Sequence, residues 1–265
     1  MLHVFTYGAG DIRRFEYLKG SADFCGLHIN YITQTVWNGF FDKVKFTLNA
    51  IRGLPDNDIV CFVDGFDVLA VCGSADEITS KFKSYNCEIL FGAELNCWPG
   101  EYKGRYPAMN YIKGGYRYLN SGGFIGYKRA VMALYTWKTL EEIAHICKTC
   151  GGDQGYFIEY FLANYTEGCG LMLDWKALVF QNMFSVDWNE IHIEEGRVVN
   201  SLLETKPCFL HFNGDSWRTK HGGDIMPVFI EKLNYSATNS GIIKFAEFTQ
   251  NFSEWYFKRS QVAPY

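Results

Sequence analysis

The chain has 265 residues, of which 48% are hydrophobic and 17% aromatic, enough to enclose one full hydrophobic core. Its formal net charge is −4 and no run of Lys and Arg exceeds a pair, so it lacks the basic pattern that binds nucleic acid. No stretch reaches the roughly 20 apolar residues that cross a bilayer, and the first residues lack the features of a secretory signal peptide. We therefore predict no nucleic-acid partner, no membrane partner and a cytoplasmic location, or the lumen of the endoplasmic reticulum if the chain has been trimmed.

Short apolar runs alternate with helical patterns from the first residue, which is typical of strand–helix–strand units and a largely parallel sheet. In chain order, the pattern predicts strands over residues 2–6, 27–32, 59–63, 88–93 and 118–127. It predicts helices over residues 12–18, 40–51, 74–84 and 130–147, and a long functional loop over residues 98–115. Short strands are predicted over residues 178–183, 198–201 and 208–212. No internal repeat or linker divides the chain, so we predict a single α/β domain.

Two carboxylates follow the most apolar predicted strand. Residues 60–67 read V-C-F-V-D-G-F-D, so Asp64 and Asp67 lie just beyond the carboxyl end of that strand, where open α/β sheets bind their ligands. Two close carboxylates repel each other, and a divalent cation turns that repulsion into a binding site. Hard oxygen ligands suit Mg²⁺ or Mn²⁺, which usually complete their shells with substrate phosphates. The alternative is an ordinary surface turn, because Asp-Gly is a common turn dipeptide.

Three further features are candidates for the same site. His211, in C-F-L-H-F-N-G-D, also follows an apolar run. An imidazole beside two carboxylates would shift the metal preference towards Mn²⁺ or another transition ion, whereas the alternative is a structural histidine. Asp153 begins a helical segment and could be its N-cap. Gly122 and Gly123 stand inside a predicted strand, which indicates close approach by a ligand or another backbone, or a β-bulge.

Six strings occur in a fixed order along the chain: V-D-G-F-D-V, F-G-A-E-L-N-C-W-P, Y-L-N-S-G-G-F-I-G-Y, D-Q, F-Q-N-M and H-F-N-G. Together they resemble the glycosyltransferase domain of the procollagen lysyl hydroxylases and the related procollagen glycosyltransferases, some of which occur in large DNA viruses. The resemblance runs from about Val4 to about Gly214. It implies a GT-A fold, that is, a Rossmann-like, mixed and mostly parallel sheet flanked by helices. This single domain would cover residues 1–265 and end in a helical and aromatic extension.

The resemblance also implies roles for individual residues. Asp64, Asp67 and His211 would hold Mn²⁺ on the diphosphate of a UDP-sugar, and Phe66 would stack on uracil where relatives have Tyr. The implied nucleotide-binding set is Thr6, Trp37, Lys43, Asp64, Phe66 and Gly214.

A second implied set is catalytic: Glu94, Trp98, Asn120 and Asp153. Trp98 would gate the sugar. Asp153 matches the last acid of an acidic cluster that transfer requires, and this chain replaces the preceding acids with Gly151 and Gly152.

The implied activity is Mn²⁺-dependent transfer of glucose from UDP-glucose to galactosyl-hydroxylysine in a collagen-like polypeptide, with retention. Two alternatives stay open: transfer of galactose from UDP-galactose to hydroxylysine, and a nucleotide-sugar-binding domain without turnover. A phosphohydrolase of the haloacid-dehalogenase type is a third, but its D-x-D motif is one residue shorter than the span from Asp64 to Asp67. The sequence predicts no particular oligomeric state, and a viral origin would place the protein in the cytoplasm of an infected cell.

Overall fold

The structure of the protein is a computed structural model that describes residues 1–112, 115–216, 224–238 and 242–244. Its strands are β1 Leu2–Ala9, β2 Ile29–Gln34, β3 Ile59–Val63, β4 Val68–Ala70, β5 Ile89–Glu94, β6 Tyr118–Tyr127, β7 Leu171–Leu173, β8 Phe180–Asn182, β9 Ile191–Glu194, β10 Arg197–Asn200, β11 Phe209–His211 and β12 Ile242–Lys244. Its α-helices are α1 Phe15–Phe24, α2 Phe40–Ile51, α3 Ala75–Ser84, α4 Lys128–Tyr135, α5 Leu140–Thr149, α6 Gly152–Asn164 and α7 Met226–Thr238. Short 3₁₀ helices cover Ile12–Arg14, Gly100–Arg105 and Trp188–Glu190.

The longer apolar runs form a central six-stranded sheet in the order β2-β1-β3-β6-β5-β7. Its pairings are parallel except for the two made by β6, which runs antiparallel to β3 and β5. All five residues of β3 are buried, as expected for a strand that is covered on both faces. The predicted sheet, mixed and mostly parallel with flanking helices, is therefore confirmed.

Helices on the two faces of this sheet divide the core into two layers. Along β3, Val60 and Phe62 belong to one layer with residues of α2, α5 and α6, whereas Cys61 and Val63 belong to the other with residues of α1 and α3. This alternation is the two-residue period of a strand. Within the described ranges, no helix combines the length and the apolar character that crossing a membrane requires.

A second sheet connects distant parts of the chain at the acidic motif, residues 64–67. Directly after that motif, β4 pairs antiparallel with β11, which in turn pairs in parallel with β8. The start of β4 follows Asp67 and the end of β11 is His211, so their pairing brings an acid and the histidine together. A third sheet, β10-β9-β12, packs against α7. The predicted helical extension after Gly214 includes α7, whereas residues 245–265 lie outside the described residues.

Most predicted elements are present, and two predictions need correction. The predicted bounds of α2, β3 and β6 match the observed ones. The single helix predicted over residues 130–147 is wrong, because α4 ends at Tyr135 and Thr139 starts α5 with a complete capping box to Glu142. Residues 98–115 are not all loop, since they include the 3₁₀ helix Gly100–Arg105. Strands β4, β7, β9 and β12 were not predicted, because runs of three or four residues carry too little periodicity.

A buried carboxylate fixes the start of β8. Asp174 is fully buried and accepts hydrogen bonds from the backbone N–H groups of Leu178 (2.9 Å), Val179 (2.8 Å) and Phe180 (2.7 Å). It also accepts one from the Tyr85 hydroxyl. Burial raises the pKa of Asp174, and these donors oppose the rise. The side chain therefore satisfies backbone groups where the chain enters β8.

We expect Asp174→Ala to lower the free energy of unfolding by about 3 kcal/mol or more, because three backbone N–H groups, two of them buried and one partly buried, lose their acceptor. Urea unfolding followed by circular dichroism measures this change. Asp187→Ala is the matched control, since exposed Asp187 accepts from the backbone N–H and the side-chain amide of Asn189 at the start of a 3₁₀ helix, and its loss should cost about 1 kcal/mol or less. Equal losses in the two variants would contradict the anchoring role of Asp174.

Candidate functional site

Asp64, Asp67 and His211 come together at the carboxyl end of β3. The Asp64 N–H donates to the Gly122 carbonyl (2.8 Å), and His211 is the register partner of Val68, the residue after Asp67. His211 Nε2 lies 3.8 Å from Asp64 Oδ2 and 3.4 Å from Asp67 Oδ2. One ligand atom from each of the three side chains lies within 4.8 Å of the other two. Two carboxylate oxygens and one imidazole nitrogen form a donor set that suits Mn²⁺ or another divalent transition ion.

The charges of this cluster depend on one another. Burial lowers the pKa of His211, but the nearby Asp67 and Asp64 carboxylates outweigh it, so the pKa is raised. Burial raises the pKa of Asp64, and the cations beside it oppose the rise. The imidazole and the carboxylates therefore compensate each other electrostatically.

The glycine pair in β6 gives two rings the space that they occupy. A Cβ added at Gly122 would lie 2.1 Å from His211 Cε1, and one added at Gly123 would lie 2.6 Å from the Phe180 ring. The close approach predicted for these glycines is thus made by side chains, whereas the prediction named a ligand or a backbone. The predicted alternative, a β-bulge, is also present: consecutive residues Phe91 and Gly92 of β5 pair with Phe124 and Asn120, so residues 121–123 of β6, which include both glycines, have no register partner in β5.

A buried ammonium links Asp64 to Asp153. Lys43 Nζ lies 2.6 Å from Asp64 Oδ1 and 2.7 Å from Asp153 Oδ2, and the Lys43 side chain is 7% exposed. Burial lowers the pKa of Lys43, but the Asp153 and Asp64 carboxylates outweigh it, so the pKa is raised and the ammonium stays charged. The resemblance assigns Lys43 to the nucleotide, whereas the structure pairs its charge with these two carboxylates.

Asp153 lies in the first turn of α6, and the predicted alternative that it is the N-cap is wrong because Gly151 holds that position. Gly151 and Gly152 have φ values of +80° and +75°, which disfavour residues with a Cβ. A Cβ at Gly151 would lie 2.1 Å from Pro99 Cγ, and one at Gly152 would lie 2.9 Å from the Phe40 ring. Glycine in place of the acids expected here therefore lets Pro99 and Phe40 pack on the start of the helix.

Three amide side chains surround Glu94. Its Oε1 accepts hydrogen bonds from Asn120 Nδ2 (3.2 Å) and Gln154 Nε2 (3.0 Å), and its Oε2 accepts one from Asn213 Nδ2 (3.0 Å). Burial raises the pKa of Glu94 to about 7, although the three donors favour the charged form. Gln154 Nε2 also donates to the Trp98 carbonyl (2.6 Å), which joins α6 to the loop that carries Trp98.

These groups face one cavity of about 630 Å³ at the carboxyl edge of the central sheet, a volume typical of small-molecule sites. The predicted site residues that line it are Asp64, Asp67, Glu94, Trp98, Asn120, Asp153, His211 and Gly214. Trp98 is 63% exposed, so its indole is accessible at the cavity. The structure thus brings the predicted metal and catalytic residues into one space.

Four predicted nucleotide-binding residues lie near the cavity without lining it: Thr6, Trp37, Lys43 and Phe66. Thr6 is buried, and within the described part of the chain its Oγ1 makes no hydrogen bond. This hydroxyl would lie 2.9 Å from a Cβ at Gly65, next to Phe66. Trp37 is half exposed and contacts the ring of Phe40, which lines the cavity, edge-on at 5.3 Å. The Thr6 hydroxyl thus lies buried beside Phe66 and does not line the cavity.

Buried amides of this region were not predicted as functional residues: Gln154, Asn182 and Asn213. Gln154 and Asn213 bond Glu94, and Asn182 bonds His211 (2.8 Å between Oδ1 and Nδ1). Each stands in one of the strings D-Q, F-Q-N-M and H-F-N-G. Gln154 and Asn213 follow Asp153 and His211 by one and two residues, which was an available signal, whereas Asn182 has no predicted site residue near it in sequence. Their partners come from other elements, which local patterns do not reveal.

The fold is that of the GT-A glycosyltransferases. The galactosyltransferase LgtC, solved in complex with donor and acceptor sugar analogues, matches this structure with a TM-score of 0.51, covering 91% of this chain and 98% of LgtC. At 12% identity, this likeness shows the fold alone. A family model described as the PLOD GT domain matches residues 25–221, and the chain therefore belongs to that family. The resemblance drawn from the six strings is confirmed.

Individual relatives agree with this assignment. The human multifunctional procollagen lysine hydroxylase and glycosyltransferase LH3 is 30% identical over 191 residues, 69% of this chain and 24% of LH3. A Drosophila melanogaster procollagen-lysine,2-oxoglutarate 5-dioxygenase is 34% identical over 59% of this chain and 21% of its own length. Protein R699 of Acanthamoeba polyphaga mimivirus is 29% identical over 65% of this chain and 35% of its own length. The chain thus matches between 21% and 35% of the length of these relatives.

Glu94 should make stability pH-dependent. Its carboxyl pKa is raised from 4.5 to about 7, so between these values the native state holds a proton that the unfolded state has released. The metal-free protein should lose on the order of 3 kcal/mol of stability from Glu94 as the pH rises through this window. Urea unfolding of wild type and Glu94→Gln at pH 4.5, 6 and 7.5 tests this, because only wild type carries this contribution to the slope. Parallel pH profiles for the two proteins would refute it.

Proposed function

We propose that the protein transfers glucose from UDP-glucose to galactosyl-hydroxylysine of a collagen-like polypeptide, with Mn²⁺ as cofactor and with retention at the anomeric carbon. The observation that carries the proposal is the cluster of Asp64, Asp67 and His211 at a cavity that also contains Glu94 and Asp153. Metal ligands beside further carboxylates suit transfer from a nucleoside diphosphate sugar, because charge develops on the leaving diphosphate and on the sugar.

The donor set supports Mn²⁺. Asp64 and Asp67 would supply hard oxygen ligands and His211 a nitrogen ligand, a mixture that favours Mn²⁺ over Mg²⁺ or Ca²⁺. When bound, Mn²⁺ would supply Lewis-acid neutralisation of the diphosphate. Lys43 would hold Asp64 in place, because its ammonium bonds the Asp64 Oδ1 and leaves Oδ2 on the His211 side.

The residues around the cavity support binding of a UDP-sugar. Phe66 would stack on the uracil ring, and the buried Thr6 hydroxyl, which lacks a partner in the described residues, would bond the nucleoside. Trp37 would close the nucleotide side through its contact with Phe40. Trp98, accessible at the cavity, would cover the hexose.

For a retaining reaction, the way the carboxylates are held favours substitution without a covalent glycosyl-enzyme intermediate. Glu94 is surrounded by three amides and Asp153 is paired with Lys43, so neither is presented as a mobile nucleophile. In the proposed step, the bond from the anomeric carbon to the β-phosphate oxygen breaks, and its electron pair leaves with UDP. The acceptor hydroxyl forms the new bond on the same face and passes its proton to the leaving phosphate oxygen. Glu94 and Asp153 would stabilise the positive charge that develops on the sugar.

The relatives support a collagen-type acceptor, and experiment must identify the hexose that is transferred. LH3 is named both a procollagen lysine hydroxylase and a glycosyltransferase, which supports a collagen-type acceptor for this chain. Galactose transfer to hydroxylysine and nucleotide-sugar binding without turnover are the competing functions.

Release of UDP from UDP-glucose and UDP-galactose, with and without a galactosyl-hydroxylysine peptide, tests the proposal. We expect peptide-stimulated release from UDP-glucose that EDTA abolishes and Mn²⁺ restores. Asp67→Asn should reduce it roughly 100-fold or more, because a metal ligand loses its charge. Asp76→Asn, the same change at an exposed site on α3, should leave it unchanged. Release from UDP-galactose alone would identify galactose as the transferred sugar. UDP binding without release would support the function of nucleotide-sugar binding without turnover.

Asp153 should act in the transfer step more than in donor binding. We expect Asp153→Asn to lower kcat at least about 10-fold with little change in UDP affinity, because the amide keeps an oxygen for Lys43 but loses the negative charge. Steady-state kinetics and UDP calorimetry measure the two effects separately. An equal loss of UDP affinity would make Asp153 a structural residue.

A further inference from the structure

We infer that Asn182 is a positioning residue for the metal site, because it selects the His211 tautomer that leaves Nε2 free to bind a cation. The inference rests on the proposed function, since it concerns the same cluster of Asp64, Asp67 and His211. Asn182 lies behind the imidazole, on the side away from the two acids, and acts through His211.

Strand pairing puts the two side chains side by side. Asn182 ends β8, His211 ends β11, and the two residues are register partners in a parallel pair, so their side chains project from the same face. Asn182 is 1% exposed and its Oδ1 lies 2.8 Å from His211 Nδ1. In a buried site, two acceptors facing each other would be costly, so the hydrogen positions are strongly constrained.

A second bond fixes which way the amide of Asn182 points. Its Nδ2 donates to the Ala93 carbonyl at 2.8 Å. A carbonyl only accepts hydrogen bonds, so the amide nitrogen faces Ala93 and the amide oxygen faces His211. The amide oxygen also only accepts, so His211 Nδ1 must carry a hydrogen.

The tautomer decides whether a cation can bind. With the hydrogen on Nδ1, the neutral imidazole has its lone pair on Nε2, which faces Asp67 Oδ2 at 3.4 Å and Asp64 Oδ2 at 3.8 Å. In the other neutral tautomer, Nε2 would carry the hydrogen and donate it to a carboxylate. That arrangement would occupy the ligand atoms of His211 and of one acid, so the bond from Asn182 keeps the site able to bind metal.

Asn182 could instead be only a structural link between β8 and β5 through Ala93. The two roles predict different results. A structural link should affect stability and leave the metal affinity of the folded protein unchanged, whereas a positioning residue should affect metal affinity beyond any loss of stability.

Mn²⁺ binding to purified variants, measured by electron paramagnetic resonance with and without UDP, separates the roles. We expect Asn182→Leu, which keeps the approximate volume and removes both hydrogen bonds, to weaken Mn²⁺ binding roughly 10- to 100-fold. Asn182→Asp, which keeps an acceptor for Nδ1–H, should bind Mn²⁺ within about threefold of wild type.

Gln181→Leu is the matched control. Gln181 is the preceding residue of β8, is fully buried and bonds Tyr116 and Asn200 through its amide, so the substitution removes a buried amide from the same strand. Its side chain projects from the opposite face, away from His211. Equal Mn²⁺ affinity in Asn182→Leu and Gln181→Leu would overturn the inference.

The His211 tautomer can also be measured in the wild-type protein, so the inference can be tested even if Asn182→Leu does not fold. Long-range ¹H–¹⁵N spectra of the metal-free protein, recorded at a pH high enough to make the His211 ring neutral and with His211 assigned by loss of its signals in His211→Gln, should show hydrogen on Nδ1. A neutral ring with hydrogen on Nε2 would overturn the inference. Failure of wild type to bind Mn²⁺ would instead count against the proposed cofactor, and the spectra would still decide the role of Asn182.

Discussion

Repulsion among the carboxylates of Asp64, Asp67, Glu94 and Asp153, which all line one cavity, is the constraint on which the site depends. Three kinds of group compensate these four charges. A buried ammonium lies between Asp64 and Asp153, amide hydrogens surround Glu94, and an imidazole lies against Asp67. Because these partners are buried in the sheet and helices, the charges are held in place before any ligand arrives, which is the condition for electrostatic catalysis.

Close packing around these charges requires residues without side chains. Gly122 leaves room for the His211 ring, and Gly151 and Gly152 leave room for Pro99 and Phe40 at the start of α6. The glycines before Asp153 therefore have a structural explanation in this chain. Where the resembled family has acids, Gly151 and Gly152 instead allow apolar contacts that connect the Trp98 loop, α2 and α6. Asp153 keeps its pairing with Lys43.

Strong local periodicity made the central elements predictable. The uninterrupted apolar run of β3 and the helical spacing of α2 each carry enough residues to identify the element and its bounds. Short strands such as β4 do not, because three residues show no period, and they form only when a partner strand supplies hydrogen bonds. The break between α4 and α5 was readable from the Thr139 capping signal, but continuous helical spacing on both sides hid it.

For the site, residue types and local order were sufficient to identify the acids after a buried strand, the histidine after another, and the family that carries both. The arrangement that gives these residues their chemistry follows from long-range pairing. The β4–β11 register brings His211 to Asp67, the packing of α2 buries Lys43 between two carboxylates, and the β8–β11 register puts Asn182 behind the imidazole. Hydrogen-bond direction and desolvation depend on neighbours from other elements, so no local stretch of sequence specifies them.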